Sequence, residues 1–111
     1  MAHDIPRPDV LEALPMPAEI RDDMQELVRV AGALVWGRTG IPAAQRSMVT
    51  IAILTALGRW DELRFHLGFG LDNGLSREEV CEVLMHAAVY AGFPASVSAM
   101  RIATEVFESR P

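Results

Sequence analysis

Apolar residues recur along most of the chain at intervals of three and four, which is the spacing of one helix face. In residues 18–35 they stand at positions 20, 24, 27, 28, 31, 34 and 35, which predicts a helix with one buried stripe. Residues 43–57 predict a second helix, whose later part is apolar on all sides except at Thr50 and Thr55. We expect this second helix to be covered all round, by other helices or by another subunit.

The second half of the chain predicts further helices over residues 60–72, 77–91 and 95–108. Ser76 and Glu79 have the spacing of a capping box, which marks the start of the fourth helix. No segment shows the sustained alternation of a strand. The sequence therefore predicts an all-α fold, a helical bundle of about five helices with short connections.

The first residues have a different composition from the rest. Residues 1–17 contain four prolines, which prevent a regular helix, so we expect a proline-rich N-terminal arm followed by a single domain over residues 18–111. The arm lacks the basic and apolar regions of a signal peptide. The longest apolar stretch, residues 48–57, is about half of a membrane span. These features predict a soluble, cytoplasmic protein without a membrane partner.

Composition bears on the partners of the protein. Hydrophobic residues make up 50% of the 111 positions, a generous supply for one small core, so we expect an oligomer that buries the surplus. A net charge of -5 argues against nucleic acid as a partner. The single cysteine, Cys81, excludes a disulfide within the chain. The three histidines lack ligand spacing, so we expect no metal.

The best candidates for catalytic residues are Glu62 and His66 on the third helix. Four residues apart, they share one face with Cβ atoms roughly 5–6 Å apart, and Arg59 shares that face if the helix begins early enough. A carboxylate beside an imidazole can shuttle a proton, either by orienting the ring or by holding the proton itself. From spacing alone, a solvated surface pair is the commoner meaning of this pattern.

Other candidates lie before and at the start of the second helix. Arg46 is either a surface arginine or an anion-binding group that faces a pocket, and Ser47 is a small packing residue or a neighbour of that pocket. Trp36 either caps the core or forms a pocket wall, with Arg38 at its mouth.

Two residues of the fourth helix are assigned to packing. His86 lies among apolar residues and is expected to be a core or interface histidine. Tyr90 is expected in the core with its hydroxyl hydrogen-bonded.

Several segments of the chain resemble the 4-carboxymuconolactone decarboxylase family in order and spacing, over about residues 24–107. In chain order they are Gln25-Glu26-Leu27-Val28, Val35-Trp36-Gly37-Arg38, Arg46-Ser47-Met48-Val49-Thr50-Ile51-Ala52, Ala56-Leu57-Gly58-Arg59, Glu62-Leu63-Arg64 with His66, Asn73-Gly74, Glu78-Glu79-Val80 and Tyr90-Ala91-Gly92-Phe93-Pro94-Ala95. The broader superfamily includes alkyl hydroperoxidases with a CxxCxxxH motif. Aligned on His66, their cysteines fall at Arg59 and Glu62, so this chain resembles the decarboxylase branch.

The resemblance implies a helical subunit that forms homotrimers or homohexamers. It also implies a reaction of aromatic compound catabolism, in which 4-carboxymuconolactone loses CO2 to give 3-oxoadipate enol-lactone. No cofactor is needed, because the lactone itself accepts the electrons of the departing carboxylate.

The resemblance also implies roles for the candidate residues. Arg46 and Arg38 would bind carboxylates, since a guanidinium pairs with a carboxylate through two parallel hydrogen bonds. His66 would be the oxyanion partner or proton donor, with Glu62 orienting it or serving as the acid. The remaining predicted substrate-binding residues are Trp36, Ser47 and Arg59.

The substrate stays open at this point, because the arm lacks the arginine-rich opening of the pathway enzymes. Thr39 and Ile41 also stand where those enzymes often have proline and leucine. Other carboxylated lactones or oxo acids are therefore candidate substrates. The alternatives are another enzyme on the same scaffold, such as a lactone hydrolase or isomerase, and a non-catalytic oligomeric binding protein.

Overall fold

A computed structural model describes residues 15–110, and all of the regular structure in that range is helical. Helix α1 spans Ala18–Ala31 and continues as a π-helical turn over Gly32–Trp36, followed by α2 (Ala43–Leu57), α3 (Trp60–Asp72), α4 (Arg77–Ala91) and α5 (Phe93–Glu108). The predicted all-α class and the five helices are confirmed. The predicted arm lies outside the described residues, except for residues 15–17. No helix in the described range is long and apolar enough to cross a membrane.

The described part of the chain divides into two compact units, residues 15–42 and residues 43–110. In the described part of the first unit, α1 forms as predicted, but none of its residues is buried. Ile20 is 53% exposed and Leu27 is 68% exposed, so the prediction that this stripe is buried is wrong for the single chain. The physical reason is that the described part of this unit consists of one helix, which has no second apolar surface of its own.

The second unit is a bundle of four helices. Consecutive helices α2 and α3 pack together, as do α4 and α5, and further contacts join α2 to α4, α2 to α5 and α3 to α5. The buried residues of its core are Ile51, Leu63, Leu67, Leu75, Val80, Leu84, Ala99, Ile102, Ala103 and Val106. Because every helix of the unit contributes residues to this core, the packing fixes the position of α2 relative to α3.

The connections within this bundle are short and depend on local chemistry. Gly58 has a φ of +69° and Gly92 a φ of +108°, conformations that a side chain disfavours, and each lets one helix follow another almost directly. The predicted capping box is confirmed, since the Ser76 hydroxyl accepts a hydrogen bond from the Glu79 amide and the Glu79 carboxylate accepts one from the Ser76 amide. Helix α5 begins slightly earlier than predicted, because Pro94 is compatible with a first helical turn.

Helix α2 is covered on one side rather than all round. Ile51 and Thr55 are fully buried, whereas Val49, Ile53 and Leu57 are 52%, 51% and 66% exposed. These three exposed residues are four apart, so they form one continuous stripe along the helix. The chain by itself therefore leaves an apolar side of α2 in contact with solvent.

Thr55 provides a test of the packing of this bundle. Its hydroxyl is buried and has no hydrogen-bond partner in the described part of the chain. A buried hydroxyl without a partner costs about 1–3 kcal/mol, and valine has nearly the same shape. We expect Thr55→Val to raise the free energy of unfolding by about 1 kcal/mol in urea titrations. The same change at exposed Thr104 is the control, and a less stable Thr55→Val protein would contradict the assignment.

Candidate active site

Helix α3 carries Glu62 and His66 one turn apart, as the sequence predicts. The helix is oriented by Leu63 and Leu67, which are fully buried in the core of the bundle. His66 is half-buried and Glu62 is exposed, so the pair runs from the edge of the bundle toward its interior. Both candidate groups are therefore at least partly accessible on the same helix.

Helix α3 lies close to α2 near Gly70. A Cβ atom on Gly70 would lie 3.3 Å from the Ser47 Cβ, 3.3 Å from the Ile51 Cδ1 and 3.0 Å from the Leu75 Cδ1. Ser47 is only 1% exposed, and its hydroxyl accepts a hydrogen bond from the Asn73 side-chain amide at 3.1 Å. In this structure Ser47 therefore links α2 to the end of α3, and its predicted contact with substrate stays a prediction.

The carboxylate of Glu62 pairs with Arg59, the residue just before α3. The Arg59 Nη2 donates to the Glu62 Oε1 at 3.2 Å, with both side chains about half exposed. This hydrogen bond is the main cause that lowers the pKa of Glu62 below its usual 4.5, and the amide of Glu62 itself acts in the same direction. Glu62 is consequently ionised at neutral pH, which argues against the role of an acid.

The imidazole of His66 lies among aromatic side chains of its own helix. Its ring centroid is 5.1 Å from that of Phe65 and 6.0 Å from that of Phe69, in both cases nearly edge-to-face. Burial lowers the pKa of His66 below 6.5, while the nearby charge of Glu62 partly opposes that shift. His66 is therefore uncharged at neutral pH and can offer an N–H without carrying a full positive charge.

Arg46 is a half-buried cation in the first part of α2. Its Nε is fully buried, and within residues 15–110 the Arg46 side chain forms neither a hydrogen bond nor an ion pair. A buried donor without an acceptor is unfavourable, and an anion that binds the guanidinium would supply one. The geometry thus favours the anion-binding alternative for Arg46 over that of an ordinary surface arginine.

Trp36 and Arg38 belong to the first unit of the chain. Trp36 ends the π-helical turn and is 6% exposed, whereas Arg38 is exposed. Gly37 separates them, and a Cβ there would lie 2.9 Å from the Ala33 carbonyl oxygen, so the turn requires glycine. π-helical turns are frequent at functional sites. The predicted roles of Trp36 and Arg38 in binding substrate stay predictions.

Two assignments on α4 change. Tyr90 is 80% exposed, so the prediction that it lies in the core is wrong. His86 is also exposed, and its ring stacks on that of Tyr90 with centroids 5.1 Å apart. Both residues follow the helical period but face away from the other helices of the bundle. The core alternative for His86 is therefore wrong for the single chain, and its role at an interface stays a prediction.

Sequence reasoning missed the aromatic surroundings of His66 and the partner of Ser47. Phe65 and Phe69 are four residues apart with His66 between them, a spacing that places all three rings along one side of a helix. That signal was present in the sequence. The hydrogen bond from Asn73 to Ser47 joins residues far apart in the chain, and helical periodicity gives no sign of it.

Metal-binding side chains do not gather in the part of the chain that the structure describes. No group of three or more histidine, cysteine, aspartate or glutamate side chains is placed there to hold an ion. The candidate residues are a half-buried cation, a neutral imidazole and an ionised carboxylate on adjacent helices of one bundle. Such groups on a small all-helical fold are typical of an enzyme that binds an anionic substrate and transfers a proton.

Comparison with known proteins agrees with that class. The model of the carboxymuconolactone decarboxylase family matches residues 23–105, and the chain belongs to this family. It is 47% identical to the 4-carboxymuconolactone decarboxylase of Acinetobacter baylyi over 91 residues, which cover 81% of this chain and 68% of the relative. It is 38% identical to the nitrosuccinic acid decarboxylase of Metarhizium robertsii over 77 residues, which cover 68% of this chain and 54% of that relative. The family and both names support a carboxy-lyase.

Proposed function

We propose that this protein is a decarboxylase that removes CO2 from 4-carboxymuconolactone or a small carboxylate of closely similar structure. The observation that carries the proposal is the half-buried guanidinium of Arg46, which has no partner among the described residues and sits in the same bundle as His66. A site with an uncompensated cation selects an anion. A neutral imidazole on the adjacent helix is suited to stabilise the charge that develops after CO2 leaves.

The names of the two relatives indicate what such a substrate has in common. Nitrosuccinic acid and 4-carboxymuconolactone each contain two carboxyl groups on neighbouring carbons, which is a succinate unit. In nitrosuccinic acid the carbon that bears one carboxyl group also bears the nitro group. In 4-carboxymuconolactone that carbon is attached to the double bond that is conjugated with the lactone carbonyl. A substrate of this class has one carboxylate to lose and another by which it can be held.

The reaction on the lactone balances without a cofactor. The bond between the departing carboxylate and the ring carbon breaks, and its electron pair moves through the ring double bond to the carbonyl oxygen. CO2 leaves, and the resulting dienolate takes up one proton at the ring carbon next to the carbonyl. The site must therefore hold the retained carboxylate, stabilise the new oxyanion and guide one proton from water.

The residues divide these tasks according to their charge. Arg46 binds the retained carboxylate, because a cation on the departing one would hold its charge in place and oppose the reaction. His66 donates a hydrogen bond to the carbonyl oxygen as charge develops there. Glu62, ionised through Arg59, orients His66 and is not the source of the proton.

The proposal is tested by following the ultraviolet absorbance of 4-carboxymuconolactone with purified protein, in parallel with nitrosuccinate and with muconolactone, which lacks the departing carboxyl group. We expect turnover of the first and no reaction of muconolactone. Turnover of nitrosuccinate alone would keep the decarboxylase and change its substrate. No turnover of either dicarboxylate by folded protein would overturn the proposal.

A lactone hydrolase or isomerase is the second candidate, and the ionised state of Glu62 favours it. An exposed carboxylate beside a neutral imidazole can serve as a base that activates water or removes a proton from carbon. Muconolactone separates these alternatives, because a hydrolase or isomerase would act on it and a decarboxylase would not.

We also propose that copies of the chain associate into a homotrimer or homohexamer through the apolar side of the bundle. We assign to this apolar side the α2 stripe Val49, Ile53 and Leu57 and the exposed residues Met85, Val89, Tyr90 and Phe93 in and after α4. Helices α2 and α4 pack against each other, so these residues belong to adjacent elements. A monomer rarely exposes so many large apolar side chains.

Light scattering coupled to size-exclusion chromatography tests this association. We expect the wild-type protein to elute as a trimer or hexamer, and Ile53→Lys to shift it toward monomer, because a buried lysine charge at the centre of the interface is unfavourable. Val89→Lys should act in the same way, and Thr104→Lys on exposed α5 surface is the control. A monomeric wild type, or both face variants unchanged, would contradict the proposal.

A further inference from the structure

We infer that Phe65 and Phe69 are positioning residues for His66, which exclude water from its imidazole and fix the angle at which the ring meets a ligand. The inference rests on the proposed function for its catalytic meaning. Its test measures the pKa of His66 and requires no substrate.

The geometry of the three rings supports this role. Phe65 meets His66 at an interplanar angle of 88° and Phe69 meets it at 81°, so each phenyl ring stands nearly perpendicular to the imidazole. The two phenyl rings are themselves stacked, with centroids 6.0 Å apart and an angle of 16°. His66 is thus in contact with a pair of rings that support each other.

Aromatic side chains suit this position better than aliphatic ones of similar volume. An edge-to-face contact has a preferred geometry and limits the rotation of the imidazole, whereas a leucine offers an apolar surface without a preferred angle. Both phenylalanines are half-buried, so they cover the ring at the boundary between the bundle and its surroundings. Water that entered there would stabilise the charged form of His66.

The proposed chemistry gives a reason to keep this imidazole neutral. An imidazolium next to a dicarboxylate would form an ion pair with the ground state and hold the charge that must leave as CO2. The charge of Glu62, on the same helix, acts in the opposite direction and favours protonation of His66. Arg59 forms an ion pair with the Glu62 carboxylate and thereby reduces the effect of that carboxylate on the pKa of His66. The phenyl rings supply the apolar surroundings of the imidazole.

The test is an NMR titration of the His66 ring in the full-length protein without substrate, with the signal assigned from a His66→Gln sample. We expect Phe65→Leu and Phe69→Leu each to raise the pKa of His66 toward 6.5, and Phe69→Tyr, which keeps the ring, to leave it low. Phe107→Leu is the matched control, since Phe107 is a half-buried phenylalanine on α5 that contacts Arg77. Circular dichroism establishes that each variant is folded.

If the protein turns over one of the tested substrates, the pH dependence of kcat provides a second measurement. A raised pKa leaves more of His66 protonated at pH 6 than in the wild type, so kcat of the leucine variants should fall more at pH 6 than at pH 8. KM should change little, because the carboxylate is held by Arg46. A structural role alone would lower kcat equally at both pH values.

The outcomes separate the inference from the proposed function. An unchanged His66 titration in folded Phe65→Leu and Phe69→Leu would overturn the inference, whatever the protein catalyses. A shifted titration in a protein that turns over neither dicarboxylate would support the inference and remove the proposed function. If one leucine variant fails to fold, the other leucine variant and Phe69→Tyr still decide the result.

Discussion

Replacing His66 with glutamine is expected to lower kcat by about 10²- to 10³-fold, the usual effect of removing one donor to a developing oxyanion. Glutamine can still fill the half-buried position and donate a hydrogen bond, but its amide is not held at the same place and cannot relay a proton. KM should change by much less, because Arg46 holds the retained carboxylate. The stability of the protein should change little, which thermal unfolding checks.

The matched control is His86→Gln, the same substitution at an exposed histidine of α4. It should leave kcat unchanged. Glu62→Gln is informative beside them, since an orienting carboxylate predicts a smaller loss than at His66 and a catalytic acid predicts a similar one. Full activity in His66→Gln would remove the imidazole from the mechanism.

Replacing Arg46 with methionine is expected to have opposite effects on activity and stability. Methionine keeps most of the length of the side chain but removes its charge, so the retained carboxylate loses a charge-assisted hydrogen bond. Such bonds contribute roughly 1.5–3 kcal/mol, which corresponds to a loss in kcat/KM of about 10- to 100-fold. Removing the buried Nε, which has no acceptor among the described residues, should at the same time raise the free energy of unfolding by about 1 kcal/mol.

Arg101→Met is the control for this experiment, because Arg101 is an exposed arginine of α5. It should change neither quantity appreciably. A variant at Arg46 that is less stable than the wild type would indicate a structural role for the guanidinium. Unchanged kcat/KM would show that the anion-binding group lies elsewhere, with Arg38 as the next residue to replace.

The regular elements of this fold could be predicted from the sequence because their signals are local. Helical periodicity located all five helices, and the Ser76–Glu79 capping box marked the start of α4 correctly. The burial of α1 could not be predicted in the same way. Ile20 and Leu27 follow an amphipathic pattern, but the pattern does not state whether the partner surface belongs to the same chain.

In the candidate site, too, the features that depend on local spacing could be predicted and those that depend on tertiary contacts could not. The placement of Glu62 and His66 on one helix follows from their spacing, whereas the pairing of Glu62 with Arg59 depends on where α3 begins. Ser47 is buried, whereas the neighbouring Arg46 lacks a partner among the described residues. This difference depends on which residues of other helices each side chain meets in the folded bundle. Charge and spacing identify candidate groups, but burial decides which of them can bind an anion.

The fate of the departing carboxyl carbon tests the central claim most directly. 4-Carboxymuconolactone labelled with ¹³C in that carboxyl group is mixed with the protein, and the carbon is followed by NMR. A decarboxylase releases the label as CO2 and bicarbonate at the rate of lactone consumption, and His66→Gln slows both together. Label that stays in the organic product while the lactone is consumed would contradict decarboxylation and indicate hydrolysis or isomerisation at the same site.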